Sequence, residues 1–351
     1  MTKISKNTDM GSAKEDHPQV RLYRMMSRIR AFETRAQKLW NHRTGPGPDG
    51  EVTEARHMPG FVHLSIGQEA VAVGVCTLLG EKDQIASTHR GHGHVIAKGG
   101  DVNQLMAELY GRVTGYCRGK GGSMHIYVPE IGVLGTNGIV AGGIPHAVGA
   151  ALSSKLLGQD NVAVSFFGDG ASNQGVFFEA MNFAALWSLP VIFVCENNFY
   201  TEWCNYERLN SGKAIFDRGI PFGIPSFQVD GTDILAVRDV ASEAIRRARA
   251  GRGPTLIEAR MYLHCGHMEG EEVITGKYRS AEETTSWEVR DTIIQFGSLL
   301  ITAGVCDQAD LEQVRDEENQ RVEESLRFAL ESEPPGLEEL TMHLFAEEVN
   351  S

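Results

Sequence analysis

The residues with the clearest chemical potential follow two apolar segments near the middle of this 351-residue chain. The first segment, residues 161–168, leads into the sequence GDGASN, and the second, residues 190–195, leads into ENN. Both segments have the continuous apolar character of buried parallel strands. Ligands of an open parallel sheet bind beyond the carboxyl ends of the strands. We therefore expect the polar residues after the two segments to line one crevice.

The residue types at this crevice predict a diphosphate bound through a metal ion. Gly168 and Gly170 let backbone N–H groups approach a phosphate at the start of the next helix. A diphosphate beside the Asp169 carboxylate would be repelled unless a divalent cation lay between them. Mg²⁺ prefers oxygen ligands, and Asp169, the Asn198 side chain and a nearby backbone carbonyl suit it.

Two other phosphate motifs are weaker. GDG before a helix is similar to the start of the dinucleotide motif GxGxxG, and Glu196 stands where a ribose-binding acid would. However, Asn173 replaces the third glycine of the motif. In addition, the acid and amide pair of Asp169 and Asn198 has no role in holding an NAD pyrophosphate without a metal ion. GYCRGKGGS is not a Walker loop, because Thr114 stands where GxxxxGK requires glycine.

Alternating strand and helix patterns position these motifs. Apolar runs predict strands over residues 161–168, 190–198, 226–231 and 254–263, and helical spacing predicts helices over residues 68–79, 176–187 and 233–250. In the central region the order is β-α-β-β-α-β with parallel crossovers. This order predicts an α/β fold with a doubly wound, mostly parallel sheet and helices on both faces.

The flanking segments have other patterns. Residues 1–18 are polar and predict a mobile arm, Val20 to Trp40 predicts an amphipathic helix, and Arg43 to Gly60 predicts a loop. From Ser280 onward the pattern is helical, interrupted at Pro334 to Gly336. We expect three parts: the arm at 1–18, a diphosphate- and magnesium-binding domain at 19–279, and a helical C-terminal segment at 280–351.

Composition excludes several classes of protein. Lys and Arg number 33 against 46 Asp and Glu, so the formal charge is −13, which argues against a nucleic-acid partner. The longest apolar stretch, residues 138–157, is rich in Gly and Ala and contains His146, so we predict no membrane span. The first residues lack the apolar region of a signal peptide, which predicts a cytoplasmic protein with reduced thiols. The six cysteines form no CxxC pair.

Several motifs together resemble one known family over residues 20 to 280. GDG followed after 26 residues by NN is similar to the thiamine-diphosphate signature. FVHLSIGQEAVAVG, STHRGHGHVIAKG, GRVTGYCRGKGGSMHI, GTNGIVAGGIPHAVGAA and the GH of HCGHMEG stand in that family's order. The chain is thus similar to the α subunits of thiamine-diphosphate-dependent 2-oxoacid dehydrogenase E1 components, especially those of acetoin and pyruvate dehydrogenases.

The resemblance implies two cofactors, thiamine diphosphate and Mg²⁺, and assigns residues to each. It implies that Asp169, Asn198 and the Tyr200 carbonyl bind the metal, and that Gly170 and Ala171 offer amides to the diphosphate. The other implied cofactor-binding residues are His89 and Arg90 at the diphosphate, Gly138 and Val140 at the aminopyrimidine through backbone, and His267 at the phosphate and substrate side.

The resemblance also implies catalytic positions at His63, His92 and His267, whereas we interpret His94 and His125 as structural. A different hypothesis for HCGHMEG is a zinc site at His264, Cys265 and His267. Three ligands within four residues cannot easily close a tetrahedral site without a distant fourth.

Thiamine diphosphate also needs a carboxylate at its N1′ atom from a pyrimidine-binding domain, and we expect this chain to hold only the diphosphate-binding half. The resemblance implies that a separate E1 β subunit supplies it, in an α₂β₂ heterotetramer with the active site at the α/β interface. We expect the C-terminal segment at 280–351 to pack on this partner subunit. It further implies that the enzyme cleaves acetoin or a 2-oxoacid such as pyruvate and transfers the acyl group to a lipoyl-bearing E2 acyltransferase.

Three departures affect the choice of substrate. Thr201 follows Tyr200 where the family usually has glycine, the loop from Arg43 to Gly60 is long, and Met268 replaces the serine of kinase-regulated pyruvate enzymes. The run from Met268 to Glu272 is more similar to acetoin dehydrogenases, although a solvated acidic face is the plainer interpretation. Half of a split transketolase-like enzyme, an NAD-dependent Rossmann oxidoreductase and a non-catalytic scaffold are the alternative functions.

Overall fold

The structure is a computed structural model and describes residues 17–41, 58–212 and 214–343. The predicted N-terminal arm, apart from its last two residues, and most of the Arg43–Gly60 loop lie outside the described residues. None of the helices in the described ranges is long and apolar enough to cross a membrane.

The strands form one parallel sheet and one small hairpin. In chain order they are β1 (Gln84–Ala86), β2 (Ala163–Gly168), β3 (Val191–Asn197), β4 (Tyr200–Thr201), β5 (Cys204–Asn205), β6 (Ser226–Asp230) and β7 (Thr255–Arg260). The sheet has the order β1-β2-β3-β7-β6, and every pairing in it is parallel. β4 and β5 pair antiparallel directly after β3.

Helices surround the sheet. They are α1 (Pro18–Asn41), α2 (Glu69–Cys76), α3 (His92–Ala97), α4 (Val102–Leu109), α5 (Gly143–Leu156), α6 (Gly175–Leu186), α7 (Ile234–Arg249), α8 (Glu272–Thr275), α9 (Ala281–Glu288), α10 (Thr292–Thr302) and α11 (Gln308–Glu331). Their N-termini are frequently capped: Asp233, for example, accepts hydrogen bonds from the N–H groups of Leu235 and Ala236 at the start of α7.

Side-chain alternation along the central strands separates two cores. Phe166 and Val194 pack on one face with α1, α2 and α7, whereas Phe167, Phe193 and Cys195 pack on the other with α5 and α6. Successive strand residues point to opposite faces, so a strand that is buried on both sides is apolar throughout. The predicted doubly wound α/β fold is therefore confirmed.

The C-terminal helices close over the N-terminal one. α11 packs along α1 and α4, and Glu318 of α11 is buried and accepts hydrogen bonds from Arg28 of α1 at 2.7 and 3.1 Å. Arg24 lies 3.4 Å from the same carboxylate. The helical segment is thus packed within the chain, and its predicted contact with a partner subunit stays a prediction.

Candidate active site

A cavity of about 280 Å³ lies beyond the carboxyl ends of β2 and β3. Asp169 and Asn198 enter it directly after these strands, and the β4–β5 hairpin supplies Tyr200 and Thr201. Segments that precede β2 in the chain supply the opposite wall. The predicted residues on that wall are His89, Arg90 and Val140, and His267 comes from the loop after β7.

Asp169 is the buried acid of the cavity, with 1 % of its surface exposed. The Thr201 hydroxyl donates a hydrogen bond to its Oδ2 atom at 3.1 Å. Burial raises the pKa of Asp169 to about 6, although the Thr201 hydrogen bond acts in the opposite direction. An ionised carboxylate in this position requires a compensating positive charge, and a divalent cation fits that requirement.

Asn198 and Tyr200 complete the oxygen-rich side of the cavity. The Tyr200 amide donates to Asn198 Oδ1 at 3.2 Å, which turns the amide side chain back along the hairpin. The Tyr200 hydroxyl donates instead to Glu283 at 2.7 Å. The phenol is therefore engaged elsewhere, in agreement with the predicted use of the Tyr200 backbone carbonyl alone.

The turn after β2 depends on glycine. Gly170 begins a 3₁₀ turn that ends at Asn173, just before α6. A Cβ atom on Gly170 would come within 2.6 Å of Thr201 Cγ2, so no larger residue fits while Thr201 is present. Ala171 follows on the cavity wall. Backbone amides at a helix start suit a phosphate, as the sequence predicts.

Arg90 supplies positive charge on the opposite wall. Its guanidinium is buried and donates to the carbonyl oxygens of Leu64 at 2.5 Å and His267 at 2.9 Å. Burial lowers the pKa of Arg90. Because these hydrogen bonds go to neutral carbonyls, the charge of Arg90 is available to an anion in the cavity.

Three histidines cluster beside Arg90. The ring nitrogens of His63, His89 and His267 lie within 4.8 Å of one another. Burial, and then the charge of Arg90, lower the pKa of His63 to about 3 and of His267 to about 4, and they also lower the pKa of His89. The imidazoles are neutral near pH 7, and the adjacent guanidinium favours an anion over a metal cation here.

The zinc hypothesis for HCGHMEG is not supported by these positions. Within the described residues, His267 groups with His63 and His89. His264 instead faces Asp291 at 3.9 Å, and the Cys265 thiol donates to the Leu64 carbonyl at 3.6 Å.

Three predicted site residues do not line the cavity: His63, which packs against His89 and His267, His92 and Gly138. His92 uses both ring nitrogens in a buried network, at 2.9 Å from Glu33 and 3.0 Å from Ser123. Gly138 lies at the surface, although its neighbours Asn137 and Ile139 reach the wall. The predicted roles of these residues stay predictions.

Glu196 is among the polar residues that the sequence places at the crevice, but it received a role only in the dinucleotide alternative. Glu196 lines the cavity and lies 3.2 Å from Nε2 of His94, which also bonds Ser87 at 2.8 Å and stacks on Phe166. The interpretation of Met268 to Glu272 as a solvated acidic face is wrong for Glu269 and Glu271, which are buried. The position of Glu196 near the carboxyl end of β3 predicts its place in the crevice, whereas nothing in the sequence predicts its contact with His94.

Comparison with known proteins identifies the family. The profile of the family described as "Dehydrogenase E1 component" matches residues 51–338. The chain belongs to this family. It is 43 % identical over 325 residues to the α subunit of acetoin:2,6-dichlorophenolindophenol oxidoreductase from Bacillus subtilis, covering 92 % of each chain. It is 39 % identical over 329 residues to the pyruvate dehydrogenase E1 α subunit of Rhizobium meliloti, covering 93 % of this chain and 89 % of the relative.

E1 α subunits use thiamine diphosphate with a divalent metal, and they work with a β subunit. The described residues fit both cofactors. Asp169 and Asn198 are oxygen donors of the kind that Mg²⁺ prefers. Arg90, His89 and His267 line the same cavity and suit the diphosphate. The family therefore supports the predicted dehydrogenase over the nicotinamide enzyme and the scaffold.

Proposed function

We propose that this chain forms, with its β subunit, an E1 enzyme that cleaves acetoin or a 2-oxoacid and transfers the acyl group to a lipoyl domain. The observation that supports this proposal is the juxtaposition of Asp169 and Asn198 with Arg90, His89 and His267 around one cavity. This arrangement offers metal ligands on one wall and anion-binding groups on the other.

The residues of the chain perform the binding and the proton handling. Asp169, Asn198 and the Tyr200 carbonyl would hold Mg²⁺, and Arg90 would neutralise the diphosphate. Bound thiamine diphosphate supplies the carbanion chemistry. His267, which is neutral at pH 7, can accept a proton from the substrate or donate one to it at a ring nitrogen.

Acetoin is the substrate that we favour. The relatives named for acetoin in Bacillus subtilis and Cupriavidus necator are each 43 % identical across 92 % of this chain. In the proposed reaction the bond between the two oxygenated carbons of acetoin breaks, acetaldehyde leaves, and lipoamide accepts the acetyl group on one sulfur and hydrogen on the other. With pyruvate, CO₂ leaves instead.

Reconstitution with the β subunit tests this function. We expect Mg²⁺- and thiamine-diphosphate-dependent reduction of 2,6-dichlorophenolindophenol, with acetoin giving a higher kcat/KM than pyruvate. When an oxidised, disulfide-form lipoyl domain replaces the dye, mass spectrometry should show an acetyl group on one of its sulfurs and hydrogen on the other. A preference for pyruvate would overturn the substrate choice alone. Ketol transfer between sugars without dye reduction would instead support the split transketolase-like alternative.

A further inference from the structure

Glu271 is a buried carboxylate outside the cavity of the proposed active site, and the function described above does not use it. It stands four residues after His267 and directly before α8, with 1 % of its surface exposed. We propose that Glu271 is a positioning residue that fastens the His267 loop, residues 264–271, to the β4–β5 hairpin. The phosphate side and the metal side of the cavity would then move as one unit.

Four donors from two separate parts of the chain converge on this carboxylate. Within the loop, the His267 amide donates to Oε1 at 2.5 Å and the Met268 amide lies 3.4 Å from Oε2. The Tyr278 hydroxyl donates to Oε1 at 2.9 Å. From the hairpin, the Trp203 indole N–H donates to Oε2 at 2.9 Å.

The hairpin end of this connection leads to the proposed metal ligand. Trp203 lies between β4 and β5, and Thr201 in β4 donates to Asp169. One chain of hydrogen bonds thus runs from the His267 amide through Glu271 to the hairpin that contacts Asp169. Glu271 is the point at which the loop and the hairpin share a hydrogen-bond acceptor.

Arg279 reinforces the same junction. Its guanidinium lies 4.9 Å from the ring centres of Tyr200 and Tyr262 and 5.3 Å from that of Tyr278. Tyr200 belongs to the hairpin, whereas Tyr278 follows α8. Arg279 also donates to the Cys265 carbonyl of the loop at 2.9 Å. The loop is therefore joined to Tyr200 of β4 through Arg279, as well as to Trp203 through Glu271.

Packing of the described residues against one side of the loop is incomplete. Among the described residues, Met268, Glu269 and Gly270 line a cavity of about 410 Å³ that extends to the end of α1. The His267 backbone is fixed at two atoms, its N–H by Glu271 and its carbonyl by Arg90 at 2.9 Å. Removing the Glu271 acceptor would leave only the second constraint.

Hydrogen–deuterium exchange of the complex with its β subunit tests the connection directly, with thiamine diphosphate and Mg²⁺ present. The variants are Glu271→Gln, in which an amide N–H₂ replaces one acceptor oxygen, and Trp203→Phe, which removes the indole donor. The matched control is Glu272→Gln, because Glu272 is the adjacent acid and is exposed.

We expect Glu271→Gln to speed exchange of the peptide covering residues 264–271 by about tenfold, the size of one lost hydrogen bond to a charged acceptor. The peptide covering residues 200–206 should also exchange faster, although it is distant in sequence. Trp203→Phe should speed exchange in the loop, and Glu272→Gln should change neither peptide.

The catalytic consequence rests on the proposed function, whereas the exchange measurement does not. We expect kcat to fall by about tenfold in Glu271→Gln with a smaller change in KM. Faster exchange in the loop with an unchanged hairpin, or no effect of Trp203→Phe, would overturn the connection whatever the substrate is. Failure of acetoin and pyruvate as substrates would overturn only the proposed function.

Discussion

Asp169 is the residue on which the proposed metal site depends most directly, because it is the charged oxygen donor of the set. Asp169→Asn keeps the shape and removes the charge. We expect thiamine diphosphate affinity in the presence of Mg²⁺ to fall by roughly 100-fold or more, equivalent to about 3 kcal/mol. Titration calorimetry of the α/β complex measures this. Asp160→Asn, at an exposed acid, is the control and should leave affinity unchanged.

His267 belongs to the same cavity but to the substrate side. His267→Ala should lower kcat/KM by roughly 100-fold, as expected for the loss of one positioned proton donor, while the fold stays intact. Steady-state kinetics and circular dichroism check the two halves of this prediction. His125→Ala changes an exposed histidine and should have wild-type kinetics. Wild-type kinetics in His267→Ala, as in the control, would show that His267 has no role in the reaction.

The histidine cluster also predicts how stability depends on pH. The pKa values of His63 and His267 are lowered from 6.5 to about 3 and about 4, and that of His89 is lowered as well, so the folded state binds fewer protons than the unfolded state below pH 6.5. Above pH 6.5 these histidines are neutral in both states, and the stability of the fold is fully present. As the pH falls below 6.5, the free energy of unfolding decreases by up to about 1.4 kcal/mol per pH unit for each histidine.

Urea unfolding of the cofactor-free chain at pH 7 and pH 5 measures this effect. His89→Gln should reduce the loss of unfolding free energy between the two pH values, because one buried titrating group is removed. His125→Gln should leave the difference unchanged. A loss of the same size in wild type and His89→Gln would contradict the burial argument.

Individual residues differ in how far the sequence predicts them. Asp169 and Asn198 are predictable because each directly follows an apolar strand, and parallel strands place such residues at one edge. The burial of His92 and Glu271 is not predictable, because it depends on contacts with Glu33, Ser123 and Trp203, which are distant in the chain. A sequence pattern cannot distinguish a solvated acid from one that receives four hydrogen bonds.

At the scale of elements, the contact between α1 and α11 carries a buried charge cluster. Glu318 pairs with Arg24 and Arg28 of α1 while its own side chain is 1 % exposed. Glu318→Gln should lower the free energy of unfolding by about 2 kcal/mol, because it removes the charge that pairs with the partly buried Arg28, whereas Arg24 keeps its pair with Glu317. Chemical denaturation checks this. Glu323→Gln, in an exposed pair with Arg35, should cost less than about 0.5 kcal/mol.

Element prediction succeeds where the periodic signal is long. β2, β3, β6 and β7 appear within their predicted segments, although β7 ends at Arg260, three residues before the predicted end. β1 has three residues and β4 and β5 have two each, too few for any period to be recognised. The predicted helix over residues 68–79 ends earlier, at Cys76, since Thr77 to Leu79 form a turn.

At the scale of the whole molecule, the mouth of the cavity exposes apolar side chains. Ile139 is 76 % exposed and Val140 is 56 % exposed, and both line the cavity. We expect the β subunit to cover them, since exposed apolar patches of this kind mark interaction sites. The purified chain alone should therefore be inactive with acetoin and 2-oxoacids until the β subunit is added.

The variant Ile139→Asp tests whether the β subunit covers this part of the cavity mouth. A charge buried without a partner should weaken β-subunit binding by tenfold or more, as measured by sedimentation, with no change in the fold of the isolated chain. Ser242→Asp adds the same charge at an exposed residue of α7, and this control should leave assembly unchanged. Robust turnover by the isolated wild-type chain would contradict the shared site.

The strand order of the sheet has a consequence for biosynthesis. β7 is synthesised after β6, yet it occupies the position between β3 and β6. Until residue 260 has left the ribosome, β3 has an open, apolar edge and β6 has no partner in the sheet. Such edges are templates for pairing with other chains, and parallel pairings between distant segments form slowly. We therefore expect nascent chains to depend on chaperones, and refolding yields to fall steeply with protein concentration.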